Sequence, residues 1–451
     1  MKYFNGIIWA SALATGLLLW LAGGQTIDGA AAVELYQSSQ APENFWQRLL
    51  APLSNPPAAA MAMNLLSALS LWLFCRVSLR LGLEKKTVLL LFFLLNFNPE
   101  YNDSRLAIEG FQLVLPCHLL ALLLFLRARN FPAALLGLTG PLWLVSLASP
   151  LVLLSNLLLP ALLLFYPLGR WRTRLAWLLL YYLLAALAVY GWPEYQHLLR
   201  DLYGLGGEKL NQTREEMSIF FKGSDEGFRL SLSNGLLLAL VLVLTNGLHI
   251  AGLLIGALMV FSLNRRSTPV LERPQRWFLF GLLLLNCLIG AYLLLYTGHL
   301  FSDLVYMPAI MICLWLSSGG LFRLINRSYR DEQRLVIFWL AVAYALASII
   351  VFGPSSVYLK EAGLAVRGRP EPLFSNSRQI LYYAGRDPRN ADFNIHFLPD
   401  GEIGPNALIL YSHNRKEPLP DTLELYHILE KFSNRHGDQV FLLRLKDGQK
   451  D

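Results

Sequence analysis

The sequence predicts an all-α polytopic membrane domain of about eleven transmembrane helices, residues 1–353, followed by a small C-terminal α+β extracytoplasmic domain, residues 354–451. Three observations lead there. Of 451 residues, 55% are hydrophobic and 15% charged, against roughly 25% charged in ordinary soluble domains, and the mean hydropathy is +0.43. Apolar runs of membrane-crossing length recur along the chain until residue 353, where charge becomes continuous. Between the runs, the basic residues gather in short clusters after every second one. That arrangement orients helices in a bilayer. It accounts for the net charge of +7 without a basic face for nucleic acid, so nucleic-acid binding is excluded.

The first run, 6–23, follows Met1-Lys2-Tyr3-Phe4-Asn5. The charge order is that of a signal peptide, but the run is long enough to span and further spans follow, so it reads as an uncleaved first helix. A polar loop, 25–57, separates it from the second run, 58–75. The third, 87–99, is short, and either tilts or begins nearer Leu83. Runs at 106–126, 131–149, 151–168, 175–192, 235–263, 277–297, 304–325 and 335–353 complete the series. Basic clusters close the even-numbered runs: Arg76, Arg80, Lys85 and Lys86; Arg127 and Arg129; Arg170, Arg172 and Arg174; Arg265, Arg266, Arg273 and Arg276; Arg323, Arg327, Arg330 and Arg334. These loops are assigned to the cytoplasm, with the N-terminus, and an odd number of spans leaves the tail outside.

In the tail, the apolar stretches 407–411 and 440–445 have strand length, while 421–434 has helical spacing at Leu423, Leu425, Ile428, Leu429 and Phe432. The cysteines, 75, 117, 287 and 313, fall in or at the ends of apolar runs, with no disulfide framework or metal-binding pair to be read from them.

The candidate functional residues lie on the outer loops. Asp28 stands beside the mouth of the first span, where an ionisable group costs free energy unless it is hydrated, paired or functional. Glu34 and Tyr36 follow in a stretch, 27–37, that reads as a short interfacial helix. Asp28 and Glu34 would be about 240° apart on it, so they are not a simple metal pair. The second outer loop reads Asn98-Pro99-Glu100-Tyr101-Asn102-Asp103-Ser104-Arg105, and Glu109 comes one turn later. Arg105 and Glu109, four apart at a helix start, can face the same way. Either they form a plain helix-end ion pair, or Arg105 binds phosphate, whose oxygens match the guanidinium fork. His299 and Asp303 sit in a short outer loop where they could meet a substrate, whereas His118 and His249, inside apolar runs, read first as packing residues. Prolines within the spans, among them Pro116, Pro141, Pro160 and Pro308, suit kinked helices around a cavity.

These features together resemble the GT-C superfamily of polytopic glycosyltransferases, in the branch that contains the protein O-mannosyltransferases and the bacterial aminoarabinose transferase. The resemblance lies in an outer loop that carries an acid, Asp28, then a short helix and Asn55-Pro56-Pro57 before the second span. It extends to Ser104-Arg105-Leu106-Ala107-Ile108-Glu109, which matches a family stretch of the form S-R-x-x-x-D with Glu in place of Asp. The tail is similar to those of bacterial relatives, with 374–378 and 382–386 opening the first strand of its module.

The resemblance implies an inverting transfer of a sugar from a polyprenyl-phosphate donor at the outer face of a bacterial inner membrane. In it Asp28 would be the general base and Arg105 would hold the lipid phosphate, oriented by Glu109. Glu34, Tyr36, Asp103 and His299 would complete the substrate-binding set. Many relatives carry two adjacent acids where this chain has Asp28-Gly29, which leaves dependence on a divalent metal open. The alternative reading is a non-catalytic membrane protein, either a transporter or an assembly partner in surface polysaccharide or glycolipid biogenesis. A transporter calls for paired broken helices in two halves, and no matched pair stands out.

Overall fold

The structure is a computed structural model that describes residues 4–22, 29–40, 48, 50–53, 55–98, 101–102, 105, 111–146, 150–193, 195–196, 271–297, 303–318, 339, 356–395, 406–435 and 437–446. The apolar runs within these residues are helices: α1 (Phe4–Ala22), α3 (Pro56–Arg80), α4 (Lys85–Asn96), α5 (Phe111–Arg127), α6 (Phe131–Val145), α7 (Pro150–Leu162), α8 (Trp171–Gly191), α9 (Arg273–Thr297) and α10 (Asp303–Leu316). The polar loop between α1 and α3 contributes α2 (Gly29–Gln40). Among the described residues four helices, α1, α3, α8 and α9, are long and apolar enough to cross a membrane, and with the composition they make this a membrane protein. The runs 235–263 and 335–353, apart from Trp339, lie outside the described residues.

The third run is short, as its sequence suggested. α4 begins at Lys85, nearer Leu83 than the first residue of the run at 87, and has 12 residues, about 18 Å of helix, short of the roughly 30 Å of a bilayer core. The reason lies just before it. Gly82 takes φ 88°, and the N–H groups of Gly82 and Leu83 donate to the carbonyls of Leu79 and Ser78. That reversal stops α3, and the left-handed backbone it needs suits glycine.

Contacts divide the chain into two compact units. The first comprises Met1–Ala12, Leu66–Ser104 and Gly110–Leu346. Within it, several neutral polar groups are hydrogen-bonded to neighbouring helices, which a water-free interior favours. Trp315 stacks on Phe74 at 5.1 Å and its indole N–H donates to Ser78 Oγ at 2.8 Å. Tyr181 donates to the Asn156 carbonyl at 2.9 Å, and Tyr182 to that of Leu157 at 3.0 Å. Members of the basic clusters cap helix ends: Arg80 Nε donates to the Leu126 carbonyl, and Arg174 Nη1 to those of Leu164 and Tyr166, where cations oppose the helix dipole favourably.

The second unit comprises Leu13–Leu65, Arg105–Glu109 and Ala347–Asp451. Its C-terminal part holds α11 (Val357–Val366), β1 (Leu373–Ser375), α12 (Arg378–Tyr383), β2 (Leu408–His413), β3 (Tyr426–Ser433) and β4 (Gln439–Leu445). The strands form one sheet in the order β1-β2-β4-β3, with β1 parallel to β2 and the other pairs antiparallel. β2 and β4 are buried on both faces, which is why they read as continuous apolar runs. Leu408, Leu410, Val440 and Leu442 pack with Leu359, Ala362 and Ile380 of the helices, whereas Ile409, Tyr411, Phe441 and Leu443 pack with Phe393, Ile395 and Tyr426.

Two expectations for the tail are corrected. Residues 421–434 are not helical: a 3-10 turn at Asp421–Leu425 leads into β3. A bulge between Ile428 and Glu430 shifts the register, so Ile428 pairs with Leu443 while Phe432 pairs with Val440, on the opposite face. An inserted residue breaks the period-2 pattern of a strand and leaves apolar spacings that mimic a helix. Residues 382–386 do not open a strand either. β1 ends at Ser375, Ser377 Oγ caps the N-terminus of α12 by accepting from the Ile380 N–H, and Gly385 at φ 74° turns the chain out of that helix.

Candidate functional site

Of the candidates read from sequence, Arg105 lies in the second unit, by the crossing of α1 and α3. A side chain on Gly16 would fall 1.8 Å from Asn64 Oδ1, so the two helices meet there only because position 16 lacks a Cβ. Small residues serve this purpose between membrane helices, where packing rather than water drives association. The Asn64 amide turns to α1 and donates from Nδ2 to the Leu13 carbonyl at 3.1 Å.

Its other end faces Arg105. Arg105 stands in a turn between α4 and α5 and is fully buried, at 0% exposure. Its Nη2 lies 3.5 Å from Asn64 Oδ1, at the long edge of hydrogen-bonding distance. A guanidinium can only donate, so the oxygen of the amide must be the atom turned toward it, in agreement with the nitrogen being used on Leu13. A guanidinium keeps its charge in any protein environment. Removing one from water costs several kcal/mol or more unless the site supplies hydrogen bonds or a counter-charge.

In the loop before Arg105, Asn98 Oδ1 accepts from the Tyr101 N–H at 2.9 Å, and the Tyr101 hydroxyl lies 3.0 Å from Ser67 Oγ. Asn98, Tyr101 and Asn102 are all buried.

Of the other site residues read from sequence, Tyr36 is half-buried on α2, and its carbonyl accepts from Ser39 Oγ at 2.7 Å. The buried face of α2, formed by Ala31, Ala32, Leu35 and Ser38, belongs to the segment that packs against α12 and the 3-10 turn at Pro388–Asn390. Glu34 stands on the second turn of α2. Asp28, Asp103, Glu109 and His299 lie outside the described residues, as does His249, and Asp303 is the first residue of α10. His118 has the packing role expected of it, with Nδ1 3.1 Å from the Val114 carbonyl of its own helix. It lines a small apolar cavity of about 30 Å³ in the first unit together with Asn286, Pro308 and Trp315. Among the described residues, no three His, Cys, Asp or Glu side chains gather where they could hold a metal.

Asn64 and Gly16 were not among the candidates read from the sequence. A signal for Asn64 existed, because an amide in the interior of a membrane-crossing run needs a partner. Gly16 carried none, since glycine is common in such helices.

No protein-family model and no curated protein matches this chain. Among solved structures, it is similar to ArnT from Cupriavidus metallidurans in the apo state, with 12% sequence identity, 97% of this chain and 98% of that chain covered, and a TM-score of 0.40.

Proposed function

We propose that this chain is a membrane glycosyltransferase that moves a sugar from a polyprenyl-phosphate donor to an acceptor hydroxyl at the outer face of a bacterial inner membrane. The observation that carries the reading is the burial of Arg105 beside an oriented neutral amide. The planar fork of a guanidinium matches phosphate oxygens, and a cation buried at the end of a loop between apolar helices is a functional candidate. The resemblance of 104–109 and of the first polar loop to the GT-C pattern supports the same assignment.

In the reaction, Asp28 takes the proton of the acceptor hydroxyl, and the acceptor oxygen bonds to the anomeric carbon from the face opposite the phosphate. The bond from that carbon to the phosphate oxygen breaks, and its electron pair leaves with the lipid phosphate. The leaving phosphate gains a negative charge as the bond breaks, so a guanidinium beside it stabilises the transition state more than the ground state. Asp28 needs only an ordinary carboxylate pKa, below the working pH, to act as the base. Glu109 orients Arg105, and Glu34, Tyr36, Asp103 and His299 bind substrate.

The test is to incubate the purified protein with a panel of polyprenyl-phosphate sugars and measure sugar transfer or hydrolysis. Transfer is expected with at least one donor, and Asp28→Asn should abolish it while remaining inserted and monodisperse. Full activity in Asp28→Asn would overturn the mechanism. Binding of the lipid without any turnover across the panel would favour a non-catalytic carrier or assembly partner.

A further inference from the structure

We propose that the C-terminal module is a working part of the candidate site: through α12 it seats α2, with Leu381 as the positioning residue. α2 carries Glu34 and Tyr36 and begins at the residue after Asp28. The inference rests on the reading of those three residues as part of a sugar-transfer site.

α2 is not held by its own sequence. It has 12 residues, close to the length below which an isolated helix is marginal in water. Its buried face, Ala31, Ala32, Leu35 and Ser38, offers one large apolar side chain, so its stability must come from what it packs against. Among the described elements it meets α12, the 3-10 turn at Pro388–Asn390 and the 3-10 turn at Ala51–Leu53 more extensively than α1 or α3. The first two belong to the C-terminal module.

α12 is itself fixed from behind. Ile380 and Ala384 belong to the core that Leu408, Leu410, Val440 and Leu442 build on one face of the sheet. Gly363 of α11 comes so near that a Cβ there would lie 2.7 Å from the Ile380 carbonyl and from Tyr383 Cβ. Leu381 is 1% exposed and yet stands in neither of the two clusters that flank the sheet, being turned about 100° from Ile380 around the helix. Its burial comes from a surface outside the sheet core, and α2, with Leu35 equally buried, is an apolar surface that lies against α12. Close-packed side chains transmit displacement, and a misplacement of about 1 Å at a reacting group can cost about a hundredfold in rate. A helix seated on a preformed sheet meets that tolerance better than a polar loop does alone.

The test compares two leucine truncations in the full chain in detergent, below their unfolding midpoints. Leu381→Ala acts at the seat, and Leu443→Ala in the core on the other face of the sheet. Hydrogen exchange across 29–40 reads the seating without any substrate. Leu381→Ala should lower protection there by about tenfold or more, and kcat for sugar transfer by about tenfold to a hundredfold. Leu443→Ala should leave both unchanged, and Leu381→Met, which nearly conserves volume, should recover both. Unchanged exchange in Leu381→Ala overturns the seating. Equal losses in the two truncations make Leu381 a stability residue and overturn its positioning role. Loosened α2 with undiminished kcat, where Asp28→Asn is inactive, overturns the module's part in the reaction and leaves the site reading standing. If wild type turns over no donor in the panel, the glycosyltransferase reading falls and the catalytic half of the inference with it, while exchange still decides the seating. Where Leu381→Ala does not fold, Leu381→Val against Leu443→Val makes the same comparison with a smaller change.

Discussion

Helix α3 carries two polar contacts 14 residues apart, one buried and one half-buried, about 21 Å along its axis, and they differ in kind. Near one end, Ser78 meets Trp315. Both groups are neutral, the hydroxyl also donates to the Phe74 carbonyl at 2.7 Å, and the indole lies flat on Phe74. That pair is closed, and its free energy goes into holding helices together. Near the other end, the half-buried Asn64 turns its oxygen toward a guanidinium at a looser 3.5 Å. One helix thus carries a short contact between neutral groups and a longer one to a cation.

The largest effect should come from breaking the closed pair. Trp315→Ala empties a fully buried site and should cost about 3–5 kcal/mol of stability, read by unfolding in detergent. The ratio of affinities for a polyprenyl phosphate and the matching polyprenol should not move, and a fall in that ratio would erase the contrast between the two ends of α3. Next comes Gly363 on α11, a packing glycine like Gly16. An added Cβ would lie 2.7 Å from the Ile380 carbonyl and from Tyr383 Cβ, so Gly363→Ala should force α11 from α12 and cost about 1–3 kcal/mol. The same unfolding experiment checks it. An unchanged midpoint would mean that the helices part freely.

Ser78→Ala should cost about 1–2 kcal/mol, since it leaves the Trp315 N–H without its acceptor in an apolar setting. Comparing it with Trp315→Ala separates the hydrogen bond from the packing of the ring. The smallest effect should be at the surface of the C-terminal module. Hydrogen bonds from Arg389, the shortest at 2.7 Å, hold the Asp387 carboxyl below its ordinary pKa, against a smaller opposing effect of desolvation. A depressed pKa stabilises the folded turn at pH values above the ordinary carboxylate range, and the benefit disappears as pH falls through the depressed value. An exposed pair of this kind contributes under about 1 kcal/mol. Hydrogen exchange across 387–391 should show wild type better protected than Asp387→Asn at neutral pH, with the difference closing in acid.

Arg105 could be found from its place in the chain because a cation next to an apolar run is anomalous in one dimension. The helices could be found for the same reason, since hydrophobicity is a property of consecutive residues. β3 could not. Its bulge moves Ile428 and Phe432 to opposite faces, and a pattern set by a partner strand has no signature within the strand itself.

Composition and order along the chain therefore establish that this is a multi-helix membrane protein with a mixed module at its end, and they single out Arg105 as a residue to explain. That Asn64 turns its oxygen toward Arg105 was decided by the crossing of α1 and α3. Gly16 and Asn64 are 48 positions apart in the chain, each unremarkable in its own helix, and only the close approach of the two backbones turns one into a space and the other into the group that fills it. Hydrophobic burial acts locally and leaves its mark in sequence. The aim of a single hydrogen bond depends on distances of tenths of an ångström between remote segments, and those exist only in the folded chain.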